Sequence, residues 1–184
     1  MRARVSAMFG GAGGPLTGGM TQKQGTSGTG WVLGTATVAM GLVAGVFYVF
    51  ACAIMPALAR SDDREFVEVM RNINDVIQNP VFFLSFMGAL VLSGVAAWQS
   101  RGTPYRGWVW AGLVAYGLAF LVTVAFNVPL NNGLADTADV GVARERFEGA
   151  WVGWNVVRAG LATVGVGCLV RGVVVYGGFR RGVR

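Results

Sequence analysis

Histidine is absent from the 184 residues of this chain. Without imidazole it cannot build a His-ligated haem, a facial-triad iron site, a histidine zinc site or a Ser-His-Asp triad. Cysteine is almost as scarce. Cys52 and Cys168 are the two present, and both fall in apolar runs, where a thiol packs as a small hydrophobe. They imply neither a disulfide framework nor a metal site. Charge is also short: Asp, Glu, Lys and Arg make up 13% of the chain against 54% hydrophobic residues, where a soluble domain carries roughly 25% charged residues.

Long apolar runs are abundant. Several are near twenty residues, the length that crosses a hydrocarbon layer of about 30 Å, and a single soluble core does not account for their separation. The spans read as residues 31–58, 80–98, 108–126 and 152–176, forming a membrane domain over 31–176. Residues 1–30 are a Gly, Ser and Thr mixture without hydrophobic period, expected as a disordered cytoplasmic tail. Arg2 and Arg4 resemble a signal-peptide n-region, but Gly10, Gly11, Gly13, Gly14 and Pro15 break any h-region behind them. Residues 177–184 form a second, basic tail. Gly41 and Gly45 give a GxxxG spacing in the first span, expected to serve packing inside the chain.

Between the first two spans lies SDDREFVEVMRNINDVIQ, residues 61–78. Ser61 followed by Asp62, Asp63 and Glu65 reads as a helix start with acids near the positive end of the dipole. Phe66, Val69, Met70, Ile73 and Ile77 then recur at spacings of three and four, an amphipathic helix. Asn79 and Pro80 mark the cap and first turn of the second span. A short helix is also expected in the polar stretch 136–149. The fold class is therefore all-α: a four-helix transmembrane bundle with short amphipathic helices in two extracytoplasmic loops.

Charge sets the orientation. Arg2, Arg4, Lys23, Arg101, Arg106, Arg171, Arg180, Arg181 and Arg184 fall on the side of the termini, nine cations, against five, Arg60, Arg64, Arg71, Arg144 and Arg146, on the other. By the positive-inside rule both termini are cytoplasmic, with the cell membrane as the expected location. All nine acids lie in the two outward loops. The net charge of +6 thus reflects orientation and contact with anionic lipid at the inner face, and no nucleic-acid module is visible.

Three polar clusters sit at span ends on the outward side: RNINDVIQNP (71–80), FNVPLNN (126–132) and WVGWNVVR (151–158). Asn127 and Asn131 share a helical face if the helix persists through Pro129, and Pro129, lacking an N–H, loosens that turn. Two roles are open to the asparagines: capping and loop tethering, or lining a polar cavity. Trp151, Asn155 and Arg158 follow one another on one face of the last span. Arg158 either snorkels outward past an aromatic belt or faces the bundle, paired with an acid such as Asp75. Arg71 and Asp75, four apart, either form an exposed ion pair or join the cavity. Phe82, Phe83, Phe86, Trp110, Phe120 and Phe126 are core or lipid-facing aromatics that could also clasp a flat ring.

The ordered series GLVAGVFYVFACAIMPALA, DDREFVEVMRNIN with QNP, FNVPLNNGLA and WVGWNVVR resembles the anthrone oxygenase-like family of small four-span membrane proteins, over about residues 38–176. The resemblance implies a four-helix membrane bundle and, for some members, oxidation of an anthrone to an anthraquinone by molecular oxygen without metal or flavin, hence no cofactor. On that reading Arg158 with Asn127 or Asn131 holds the developing oxyanion and Asp75 accepts the proton. Asn155, Asn72, Trp154 and Phe126 are the expected substrate contacts. The partners are then membrane lipid and a hydrophobic aromatic small molecule. The alternative is a non-enzymatic membrane scaffold or subunit that binds a protein partner or lipid, because sites are grafted onto folds; a homo-oligomer or a membrane complex is open on either reading.

Overall fold

The computed structural model describes residues 21–182, with side chains from Gly28 onward. The expected tail over 1–30 therefore lies largely outside the described residues. Among the described residues four helices are long and apolar enough to cross a membrane: Gly28–Leu58, Pro80–Gln99, Arg106–Asp136 and Val140–Gly182. Trp31, Leu42, Val81, Leu84 and Val91 are more than half exposed, as an outward surface that meets hydrocarbon requires. The protein is an all-α transmembrane bundle.

The first span is α1 (Thr21–Val49), continued through a π-helical turn, Phe50–Ile54, into the short α2 (Met55–Leu58). The third repeats this plan: α5 (Arg106–Val122), a π turn Thr123–Asn127, then α6 (Val128–Asp136). Each π turn is followed two residues later by a proline, Pro56 or Pro129. The missing N–H of proline strands a carbonyl one turn back, and the wider π register absorbs the mismatch without ending the helix. The chain thus stays helical to Asp136, ten residues past the expected end of the third span.

The amphipathic α3 (Asp63–Ile77) starts one residue later than the sequence suggested. Asp62, not Ser61, is its cap, accepting the Glu65 N–H at 2.8 Å. Its buried face is Phe66, Val67, Met70 and Asn74. Asn79 caps α4 (Pro80–Gln99) as expected, accepting from the Phe82 N–H at 3.0 Å. In the second loop the polar stretch forms the opening turns of α7 (Val140–Gly182) itself rather than a separate helix. Arg144 and Glu148, bonded at 2.7 Å one turn apart, reinforce that continuation.

The spans meet along small residues. A Cβ at Gly112 would fall 3.1 Å from the Gly165 carbonyl oxygen and 2.8 Å from Leu169 Cδ2, so α5 and α7 touch backbone to backbone. Gly41 and Gly45 do no such work: a Cβ at either meets nothing within 4 Å. Their spacing therefore does not mark a packing seam within the chain. Tyr116 of α5 donates to the Phe86 carbonyl of α4 at 2.9 Å, satisfying a hydroxyl inside the bundle.

A cap of α3, α6 and the start of α7 closes one end, packed around Phe66, Met70, Leu134, Phe147 and Trp151. Two arginines cross-link it. Arg71 on α3 donates to the carbonyls of Leu134 (2.8 and 3.0 Å) and Thr137 (2.7 Å) at the end of α6. Arg144 on α7 donates to the carbonyls of Ser61 (2.8 Å) and Ala59 (3.2 Å) just past α2, and pairs with Asp63 at 3.0 Å. Each fork satisfies helix-end carbonyls that lack partners of their own.

Candidate functional site

Where the cap meets the spans there is a cavity of about 180 Å³. Every span contributes to it. Phe47 and Phe50 come from the first, Phe82, Phe83 and Phe86 from α4, Thr123 from the second π turn, and Trp151 and Arg158 from α7, while Asn74 of α3, Gln78 just past its end, and Asn131 and Asn132 of α6 reach it from the cap. Aromatic walls thus carry a handful of convergent polar groups, the usual make-up of a small-molecule site.

Arg158 is 7% exposed. Its Nε donates to Asn155 Oδ1 at 3.0 Å, and its guanidinium lies 4.3 Å from the Phe47 ring centre and 4.9 Å from that of Trp151. Asn155 is fully buried and donates in turn to the Phe47 carbonyl at 3.1 Å, tying α7 to the first span. Two aromatic faces and one amide hold the cation in place. Among the described residues no carboxylate pairs with it, and neither Nη group has a protein acceptor. A buried charge without a counter-ion is costly, and inside a membrane bundle such groups mark ligand or ion sites.

The expected pairing of Arg158 with Asp75 is not formed. Asn74 points into the cap, and Asp75, one position further round the helix, is exposed and is not part of the cavity wall. The Arg71–Asp75 ion pair is absent too, because Arg71 is spent on α6 carbonyls. Among the described residues no Asp or Glu lines the cavity. Asn131 does line it and accepts from Trp151 Nε1 at 2.8 Å, fixing that indole. Asn127 is fully buried behind the wall, donating to the Trp151 carbonyl at 3.4 Å, while its Oδ1 has no partner among the described residues.

The expected contacts divide similarly. Asn155 positions Arg158. Phe126 and Trp154 stack on each other at 3.8 Å and 9°, outside the cavity wall. Asn72 is exposed and lines an outer groove beside α3. Thr123 was not anticipated from sequence, and Asn74, Gln78 and Asn132 stood in the polar clusters without an assigned contact to substrate. For Asn74 the signal was there: it follows Phe66 and Met70 at steps of four, which places it on the buried face of α3.

Residues 78–168, just under half of the chain, match the family model described as anthrone oxygenase. That segment is similar to the anthrone oxygenase family. The anthrone oxygenase-like segment takes in the cavity residues from Gln78 to Arg158, whereas Phe47, Phe50, Ile73 and Asn74 lie before it. Curated relatives carry another name. The chain is 37% identical over 108 residues to "NADH-ubiquinone oxidoreductase chain 6" of Uria aalge, covering 53% of this chain and 61% of that protein. It is 40% identical over 109 residues to the protein of the same name from Fratercula arctica, covering 54% and 60%. The chain thus spans about three fifths of the length of these relatives. No solved structure matches.

Proposed function

We propose that this protein is a cofactor-independent oxygenase of an anthrone- or quinol-like aromatic substrate, bound in the cavity over Arg158. One observation carries the reading: a buried guanidinium with no carboxylate partner faces a chamber walled by phenylalanines and amides. Such a chamber prefers a flat apolar ring, and an uncompensated cation prefers that ring as an oxyanion.

The chemistry needs little more. An anthrone that loses a C–H proton becomes an enolate, its negative charge on oxygen beside Arg158. The enolate gives one electron to O2, the resulting radical and superoxide combine and take up a proton, and the hydroperoxide eliminates water to leave the quinone carbonyl. One substrate and one O2 yield one anthraquinone and one water. Arg158 stabilises the first anion and so makes the substrate C–H easier to deprotonate. Asn131 and Asn132 supply amide donors. With no carboxylate among the described residues of the wall, the proton passes to water, and the role of base expected for Asp75 falls away. 

The test is oxygen consumption and quinone formation by purified protein supplied with emodin anthrone, compared with Arg158→Gln. Loss of a preorganised oxyanion donor lowers kcat by about 10²–10³-fold. An unchanged rate in the variant overturns the reading.

The relatives' name favours a second reading, a subunit of a membrane oxidoreductase complex. Stable co-purification with other chains, and no turnover by the isolated protein, would support that reading instead. We also propose that both termini are cytoplasmic and that the cavity opens at the extracytoplasmic end.

A further inference from the structure

The cavity is small for the ring systems its walls would suit. At about 180 Å³ it is close to the roughly 150 Å³ cavity that admits one benzene ring and below the 300–1,000 Å³ of ordinary small-molecule pockets. It does not end there. An open groove of about 330 Å³ runs between α1 and α4 and shares Val46, Ile77 and Phe82 with the cavity wall. Beyond those three residues Leu42, Val43 and Val81 make its sides largely apolar, with Asn79 and Ser85 the polar members, and Leu42 and Val81 are more than half exposed.

The direction of that groove matters. Along α1 the chamber begins at Phe50 and Phe47, the shared residue is Val46, and the groove continues to Leu42. Each turn of about 5.4 Å carries the path away from the cap and toward the middle of the apolar span. A polar end at Arg158 and an apolar channel descending along the membrane-facing surface match a molecule built the same way.

We infer that the ligand is an amphiphile: a single phenolic or enolic ring seated over Arg158, with a hydrocarbon tail that passes between Ile77 and Phe82 into the groove between α1 and α4. This deepens the oxygenase reading and rests on its placement of the ring. The tail selects substrates already dissolved in the bilayer, and a fused three-ring system without a tail must push past Ile77 to fit. An anionic phospholipid also joins a head to a tail, but the phenylalanine walls favour a ring over a hydrated phosphate.

Binding decides this without turnover. Methylhydroquinone and decylhydroquinone are titrated against the full chain in phosphatidylcholine vesicles, followed by tryptophan emission, with each affinity corrected for partition into the lipid. The wild type should bind the decyl compound at least tenfold more tightly. Ser85→Trp and Leu42→Trp, which fill the groove at positions outside the cavity wall, should leave methylhydroquinone within twofold and abolish most of the decyl advantage. Arg158→Gln should weaken both compounds. A decyl advantage that is absent in the wild type, or that survives both groove variants, overturns the tail assignment while leaving the ring site standing. Failure of either compound to bind, or indifference of both to Arg158→Gln, overturns the ring site and the tail with it. Displacement of both compounds by phosphatidylglycerol added to the vesicles reassigns the site to a lipid headgroup and likewise overturns it.

Discussion

Arg158 and Asn155 are bonded Nε to Oδ1 at 3.0 Å across one turn of α7, and Asn155 passes that constraint on to the Phe47 carbonyl of the first span at 3.1 Å. A single amide therefore both aims the cation and joins two membrane helices. Replacing Asn155 by Ala leaves a buried donor and a buried acceptor without partners, at about 1–3 kcal/mol each. The apparent Tm of the detergent-solubilised protein should fall by several degrees. Asn155→Asp restores an acceptor and gives the guanidinium its missing counter-ion, so it should be more stable than Asn155→Ala. The same change should weaken binding of a phenolate more than tenfold, because the cation is already neutralised. An Asp variant less stable than the Ala variant would mean that Arg158 is not held through this position.

The Gly112–Gly165 crossing makes a separate claim. A methyl at Gly112 meets a backbone oxygen at 3.1 Å and Leu169 Cγ at 3.0 Å, neither of which retreats cheaply. Gly112→Ala should therefore cost about 1–3 kcal/mol, the range for an overpacked core. Gly117→Ala on the same helix, where a Cβ meets nothing within 4 Å, should be neutral or slightly stabilising through helix propensity. The fraction unfolded in a titration of mixed SDS–detergent micelles compares the two directly. Equal midpoints would refute the close approach of α5 and α7.

The bundle was legible because hydrocarbon thickness imposes length and apolarity on each span, and both are linear properties of the chain. Asn79–Pro80 could be placed to the residue for a similar reason: a cap and a proline act locally. The site was only half readable. That Asn155 and Arg158 share a face follows from helical spacing, whereas the absence of Asp75 depends on a rotation of about 100° per residue along α3 and on Arg71 finding carbonyls 63 and 66 residues away. The π turns hid the rest. An inserted residue at Phe50–Ile54 and at Thr123–Asn127 re-aims later side chains relative to the span before it, while Asn127 and Asn131, four apart, both bond Trp151.

Arg71 supplies a third expectation. Its fork closes the carbonyl end of α6, and bonds from a charged donor contribute about 1.5–3 kcal/mol. Without it the α6–α7 connection, Thr137–Asp139, should open more often. For Arg71→Ala, cleavage after Asp139 by an Asp-specific endoprotease should accelerate about tenfold or more, at the 1.4 kcal/mol per decade of an opening equilibrium. Arg71→Lys should recover less than half of the protection, because an ammonium cannot present the planar pair of donors that reaches both Leu134 and Thr137. Full protection in Arg71→Ala would show that α6 is held by its apolar contacts alone.

Orientation follows from where the cations are free to act. At the cavity end Arg64 is bonded to Glu68 at 2.8 Å, Arg144 to Asp63 and Glu148, and Arg71 to carbonyls, and all nine acids accompany them. At the other end Arg101, Arg106, Arg171, Arg180 and Arg181 have no acid nearby in sequence. It is the Lys and Arg count beside short loops that holds a segment in the cytoplasm, so the proposed orientation, termini inside and cap out, predicts a definite labelling pattern. The two native cysteines make the measurement simple. In a Cys52→Ser, Cys168→Ser background, Ala138→Cys on the cap should react with a membrane-impermeant maleimide on intact cells, and Thr103→Cys in the opposite turn should react only after lysis. The reverse pattern would place the cavity in the cytoplasm, and a substrate drawn from the outer leaflet would then have no route to Arg158.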